Sequence, residues 1–244
     1  VPAPSTASAA APAARVAPAA PPRAGDRRTV RTRRALRDAL ALEIVDAGGL
    51  DRAAVTSIAE RAGVTRRTFY SHFRDIPDLV QQSEDELLAG IGTHLATVAS
   101  VTLDDLYAHL ERLEPCPGSV ELLAYIQDNG LLMGALLGPG GDPGFVEQIK
   151  RLAFDALTGS ALHGIDARVR GPFFDYYLTF AVSAEVGVVQ RWLEDGMSQS
   201  PELMARAMTA LMFVRPGDLY GRPVELDIPH YGQLLAHLEE IETR

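Results

Sequence analysis

Thr65 to Phe73 is the stretch that most restricts what this chain can fold into. Phe69 and Phe73 recur at i, i+4, so a helix over these residues has one apolar stripe, with Arg66, Arg67, Thr68 and Ser71 facing away from it. Thr65 is a good N-cap, and Gly63 stands where a left-handed turn residue is wanted. Upstream, Val55 to Ala62 fits a short helix with Ile58, Ala59 and Ala62 inward. Before it, Leu36, Leu40 and Ile44 recur at i, i+4, i+8, with Ala39 and Ala47 on the same side, until Gly48-Gly49 stops the run. Short helices separated by a glycine-containing turn of three or four residues form a helix-turn-helix. Asp75 then caps a further helix with Pro77 in its first turn.

The remainder is helical too, and the expected fold class is all-α. Helices are expected at Asp78–Val101, Asp104–Arg112, Ser119–Leu137, Gly144–Thr158, Gly171–Asp195 and Pro201–Val214. The alternating segment Arg222 to Pro229 is flanked by prolines, which argues against a central strand. Residues 1–24 contain 11 Ala and 6 Pro, which offer too little surface to bury, and the arginines from Arg23 to Arg37 lead into the first helix. The expected layout is a disordered arm over 1–28, a helix-turn-helix domain over 29–78, a helical body over 79–214, and a loop with a last helix over 215–244.

The charges are segregated. Residues 1–74 hold 13 Arg and no Lys against 6 acids, a net of +7, whereas residues 75–244 hold 10 basic residues against 26 acids, a net of −16. A basic end on an acidic body, −9 overall, points to a polyanion partner for one end only. A merely solvated charged face does not predict that split. The single cysteine, Cys116, excludes an internal disulfide framework and a cysteine-rich zinc site, and no metal or cofactor is expected. No run of about 18 apolar residues could cross a bilayer, and no leucine-like stretch follows basic residues as in a signal peptide. A cytoplasmic chain with no membrane partner is the expectation.

Val55-Thr-Ser-Ile-Ala-Glu-Arg-Ala-Gly-Val-Thr-Arg-Arg-Thr-Phe-Tyr-Ser-His-Phe73 strongly resembles the DNA-binding half of TetR-family transcriptional regulators over about residues 30–80. Leu123 to Asn129, Phe145 to Ile149, and Val189 to Gly196 with Ser200-Pro-Glu202 resemble one subgroup of that family's C-terminal domains. The resemblance implies that Arg66, Arg67, Thr68 and Ser71 enter a major groove of double-stranded DNA, with Tyr70 and His72 at phosphates. An arginine paired bidentately with guanine discriminates by about 1–3 kcal/mol. Thr56 and Thr65 read either as phosphate contacts or as helix caps only, and Tyr70 either as a contact or as half-buried packing. Two positions depart from the family: Arg67 stands where glycine is common, and Ile76 where many members carry a phosphate-binding lysine. Arg27, Arg28, Arg31, Arg33 and Arg34 are expected to compensate by tracking the DNA backbone or entering a minor groove.

The helix near Gly171–Asp195 is too broadly apolar for one neighbour to cover. In the resembling family the last two long helices pair across a two-fold axis, which implies a homodimer through Tyr177, Phe180, Ala184, Val188, Trp192, Leu203 and Leu211. The rival reading makes these residues monomer core. A small-molecule effector of unassigned class is also implied, with His94, His109, Tyr125, Met133, Phe174 and Tyr177 as candidate lining. The whole then reads as a dimeric repressor of palindromic operators. Its rivals are an effector-independent architectural DNA-binding protein, a helical adaptor and a helical enzyme. Against the enzyme, Gly138-Pro-Gly-Gly-Asp-Pro-Gly144 lacks the Gly-Lys-Ser/Thr ending of a phosphate cradle, and Gly-x-Ser-x-Gly and His-Glu-x-x-His are absent.

Overall fold

The computed structural model describes residues 24–161 and 172–213. The expectations for the arm before residue 24 and for the tail after residue 213 lie outside those residues. Among the described residues there are ten α-helices, one 3₁₀ turn and no strand. The helices are α1 (Ala24–Ala47), α2 (Val55–Arg61), α3 (Arg66–His72), α4 (Ile76–Ala99), α5 (Leu103–Glu111), α6 (Ser119–Asp128), α7 (Gly130–Leu137), α8 (Pro143–Ala161), α9 (Pro172–Glu194) and α10 (Pro201–Leu211). The 3₁₀ turn, Leu50–Arg52, follows α1. Among the described residues no single helix is long and apolar enough to cross a membrane.

Helices α1 to α3 form a head and α4 to α10 a body, joined by one continuous core. Leu36, Leu40 and Ile44 of α1 meet Ile58, Phe69 and Phe73 on one side and Leu132, Met133 and Leu136 of α7 on the other. Within the body α4 packs between α6 and α8, α10 lies on α6, and α9 covers α7 and α8. Helix α1 starts at Ala24, earlier than the expected boundary at 29, so the basic run Arg27 to Arg37 is helical.

Three expectations for the body differ from the structure. Ser119–Leu137 is two helices, because Asn129 leaves helical geometry at φ −105°, ψ 13°, and its Nδ2 donates to the Tyr125 carbonyl at 2.9 Å. Trp192, expected at a dimer interface, is 2% exposed and belongs to the core; its indole N–H donates to the Gln199 carbonyl at 3.1 Å and closes the α9–α10 turn. Met133, a candidate for effector lining, is likewise fully packed between head and body.

Buried polar groups in the body are mostly satisfied, as burial requires. Thr209 accepts the Cys116 N–H at 2.8 Å and donates to the Ala205 carbonyl at 2.8 Å, which holds α10 to the segment before α6. Glu185 on α9 approaches the same segment. Burial pushes its carboxyl up to about 7, and burial together with Glu185 pushes the Cys116 thiol up to about 11. A carboxyl raised in the fold stabilises it fully below the ordinary carboxylate value, and that stability is lost as pH rises through about 7. Glu185→Gln is therefore expected to melt above the parent chain at about pH 8, the difference shrinking towards about pH 5. Thermal unfolding at the two pH values checks this.

Candidate nucleic-acid interface

A seven-residue helix has too few internal hydrogen bonds to stand alone, so α3 depends on what caps and anchors it. Gly63 takes φ +65° in the turn from α2, a conformation that a Cβ disfavours. Thr65 accepts the Thr68 N–H at 3.1 Å, satisfying one orphan donor of the first turn. Phe69 and Phe73 are buried completely, or nearly so, against α1. Asp75 accepts the Asp78 N–H at 2.8 Å while Asp78 accepts the Arg74 N–H at 2.8 Å, so α4 begins from a reciprocal cap directly after α3. That backbone N–H, with the Arg74 guanidinium, lowers the Asp78 carboxyl to about 2.

This anchoring leaves one side of α3 open. Thr65, Arg66, Arg67, Tyr70 and Ser71 are exposed, and Thr68 and His72 are half-buried. The Thr65 and Thr68 hydroxyls lie 2.9 Å apart, and the Ser71 hydroxyl donates to the Thr68 carbonyl at 2.7 Å, so Ser71 keeps only its lone pairs for a partner. Tyr70 stands edge-on to Phe69, with ring centroids 5.4 Å apart. Thr56 is exposed in the first turn of α2, which begins without a side-chain cap. A cleft of about 420 Å³ runs between the start of α1 and the turn before α3, lined by Arg28, Thr29, Thr32, Thr65, Thr68 and His72. Hydroxyls, a guanidinium and an imidazole in a concave surface suit phosphate oxygens.

The arginines of α1 divide into two groups. Arg31 and Arg34 are exposed. Arg33 is turned towards the inside of the head: its guanidinium lies 4.7 Å from the centre of the Phe73 ring, donates to Gln82 Oε1 at 2.7 Å and sits 3.5 Å from Glu86. Arg37 also pairs with Glu86. Arg33 thus serves the α1–α4 contact, because cation–π and ion-pair partners are already in place. Sequence reasoning also missed Glu43, a buried carboxylate that accepts the Ala54 N–H at 3.3 Å and the Arg61 Nε–H at 3.1 Å and so sets α2 against α1. Its signal was present: Glu43 falls four residues after Ala39, on the inward side of α1.

The body residues singled out from sequence do not converge on one cavity. His94 and Tyr125 do meet, with ring centroids 5.4 Å apart, and the Tyr125 hydroxyl donates to the Glu86 carbonyl at 3.3 Å. His109 lies instead at the end of α5, 3.3 Å from Glu114. Phe174 is buried on α9, while Tyr177 on the same helix is half exposed. Outward on α9 stand Tyr176 at 69% and Phe180 at 71% exposure, with Tyr177 and Ala184. Leu203 and Leu211 on α10 are exposed as well, and Val188 is half-buried.

Two family models match the chain: "Bacterial regulatory proteins, tetR family" over residues 39–82 and "Transcriptional regulator C-terminal region" over residues 114–213. A relative in Bacillus subtilis (strain 168), the uncharacterized HTH-type transcriptional regulator YxbF, is 24% identical over 191 residues, which cover 78% of this chain. The chain spans 47% of that relative's length. The TetR family transcriptional regulator PfmR from Thermus thermophilus superposes with a TM-score of 0.50 at 18% identity, over 75% of this chain and 100% of that one. A tetR-family transcriptional regulator from Streptomyces coelicolor gives 0.51 at 16% identity, over 90% and 99%. At such identities these two likenesses speak for the fold.

The different surroundings of Arg33 and of its exposed neighbours have a measurable consequence. Arg33→Ala is expected to lower stability by about 1 kcal/mol and to leave the salt dependence of DNA binding unchanged. Urea unfolding and a salt titration of a duplex complex separate the two effects.

Proposed function

This chain belongs to the TetR family of bacterial transcriptional regulators, and from that premise we propose that it is a dimeric repressor that reads a palindromic operator with α3. One observation carries the reading: α3 is anchored by Phe69 and Phe73 on one side and presents Arg66, Arg67, Tyr70 and Ser71 on the other. A recognition helix needs that division, since groove-facing side chains must be free while the helix is held rigidly. Arg66 and Arg67 supply guanidinium forks for guanine O6 and N7. Arg31 and Arg34, the α1–α3 cleft and Thr56 supply phosphate contacts that position the helix and make affinity depend on salt. Exposed Arg31 and Arg34 also offset the missing lysine at Ile76. Sequence-specific repression requires no chemistry, and the reading is of a protein that is not an enzyme.

The outward aromatic side of α9 and the leucines of α10 support the dimer. Exposed tyrosine, phenylalanine and leucine side chains are what an interface with a second copy would cover. A two-fold dimer places two recognition helices on half-sites about one duplex turn, or a multiple of it, apart. Trp192 is not part of that surface, and Tyr177, Phe180, Ala184, Leu203 and Leu211 remain. Release by a small molecule belongs to the same reading, with His94 and Tyr125 as the two lining candidates that the fold brings together.

Selection of duplexes from a random library by the purified chain is expected to return a few two-fold symmetric sequences; broad, sequence-independent recovery would instead mark an architectural protein. On the selected duplex Arg66→Ala is expected to cost about 1–3 kcal/mol at one base position, while Arg31→Ala and Arg34→Ala each reduce the salt slope by about 1. Phe180→Glu is expected to give a folded monomer where the parent sediments as a dimer at micromolar concentration. A parent chain that is already monomeric would remove the dimer from the reading.

A further inference from the structure

Glycine inside a helix is less favourable than alanine, so Gly90 near the middle of α4 needs an account. A Cβ at this position would overlap Cζ and the hydroxyl oxygen of Tyr125 and would lie 2.6 Å from its Cε2. The missing side chain leaves a notch, and in it the Tyr125 ring of α6 crosses α4. The ring is held at both edges of the notch. Its hydroxyl donates to the Glu86 carbonyl, one turn towards the head, at 3.3 Å. Its face lies tilted against His94, one turn the other way, with ring centroids 5.4 Å apart.

Tyr125 also sits where both supports of the head begin. The first support is α4, on which Gln82, Glu86, Gly90 and His94 form one i, i+4 row. At the head end of that row Gln82 Oε1 accepts from Arg33 at 2.7 Å, and the Glu86 carboxylate pairs with Arg33 at 3.5 Å and with Arg37. The second support is α7, whose Leu132, Met133 and Leu136 pack against α1. The direction of α7 is set at the break after α6. There the backbone N–H and Nδ2 of Asn129 both donate to the Tyr125 carbonyl, at 3.2 and 2.9 Å. One residue thus joins the two elements that carry α1, its side chain pinned to α4 and its carbonyl to the start of α7.

We propose that Tyr125 is a positioning residue that sets the head on the body, and through it the half-site spacing that the paired recognition helices accept. The consequence for spacing rests on the dimeric regulator reading above. In a two-fold dimer the bodies fix one α3 relative to the other, so a head free to rock would meet a wider range of spacings. One added base pair moves a half-site by about 3.4 Å and rotates it by about one-tenth of a turn. Close-packed elements transmit such a displacement instead of absorbing it. A seated ring therefore admits one spacing, and an empty or blocked notch admits its neighbours as well. The side chains of α3 are untouched by this, so the base preference within each half-site stays as it is.

The full chain and a set of duplexes carrying the selected half-sites at successive spacings test this. The parent is expected to prefer one spacing about tenfold over those one base pair longer or shorter. In Gly90→Ala, which drives the ring out, and in Tyr125→Leu, which removes its outer atoms, that preference is expected to fall to about twofold, with the same bases selected in each half-site. Tyr125→Phe keeps a ring in the notch and is expected to keep the parent's preference. Thermal melting without DNA tests the notch by itself. Gly90→Ala is expected to lower the midpoint in the parent and to raise it in the Tyr125→Leu background, where the helix propensity of alanine is gained without a clash. Tyr125→Leu serves as the spacing test if Gly90→Ala does not fold. A dimeric parent with no preferred spacing, or an unchanged preference in Tyr125→Leu, would overturn the proposal. So would an equal loss of affinity at every spacing, Tyr125→Phe as permissive as Tyr125→Leu, or a Gly90→Ala effect of the same sign in both backgrounds. A folded parent that is monomeric or binds no duplex, with the melting cycle as expected, would leave Tyr125 as the joint between head and body and count against the regulator reading alone.

Discussion

The burial of two phenylalanines behind seven residues is the interaction on which this molecule depends. Helix α3 is too short to persist by its own hydrogen bonds, and Phe69 and Phe73 tie it to the face of α1 formed by Leu36, Leu40 and Ile44. Every polar side chain of α3 that could face a duplex takes its direction from that attachment. The caps at Thr65 and Asp75 define where α3 starts and where α4 follows. Without the phenylalanines the caps would terminate nothing.

A second layer of polar contacts orients the head. Glu43 with Arg61 fixes α2 on α1, and Arg33 and Arg37 fix α1 on α4 through Gln82 and Glu86. Glu86 also offers its backbone carbonyl to Tyr125, whose ring lies tilted against His94. A continuous run of contacts therefore leads from the edge of Phe73 into the interior of the body. Such runs carry coupling only where an element has two arrangements.

Much of this was legible in the residues. The i, i+4 pair of phenylalanines, the glycine turn and the two caps located α2, α3 and the start of α4 to within a residue or two, because each signal is local. The break at Asn129 was hidden, since apolar periodicity runs on through Ser119 to Leu137 and only a side chain turned back on Tyr125 interrupts it. Trp192 illustrates a deeper limit. Periodicity separates the inward from the outward side of a helix, but an apolar residue reads alike whether its own core or a second copy covers it. Arg33 was assigned the wrong role because its partners lie 40 residues away or further, a distance at which sequence spacing carries no geometric information. Glu43 was readable in principle, as an acid on an apolar stripe that must find a partner inside.

The division of α3 into an anchored and an open side reaches beyond the present sequence. The residues that hold the helix and those that would read a duplex share no atoms and few neighbours, so changes on one side scarcely register on the other. Arg66, Arg67 and Ser71 can be exchanged one at a time while the protein keeps its thermal resilience. Selection can then retarget the molecule to unfamiliar promoters by small, independent steps, without first passing through variants that fail to fold.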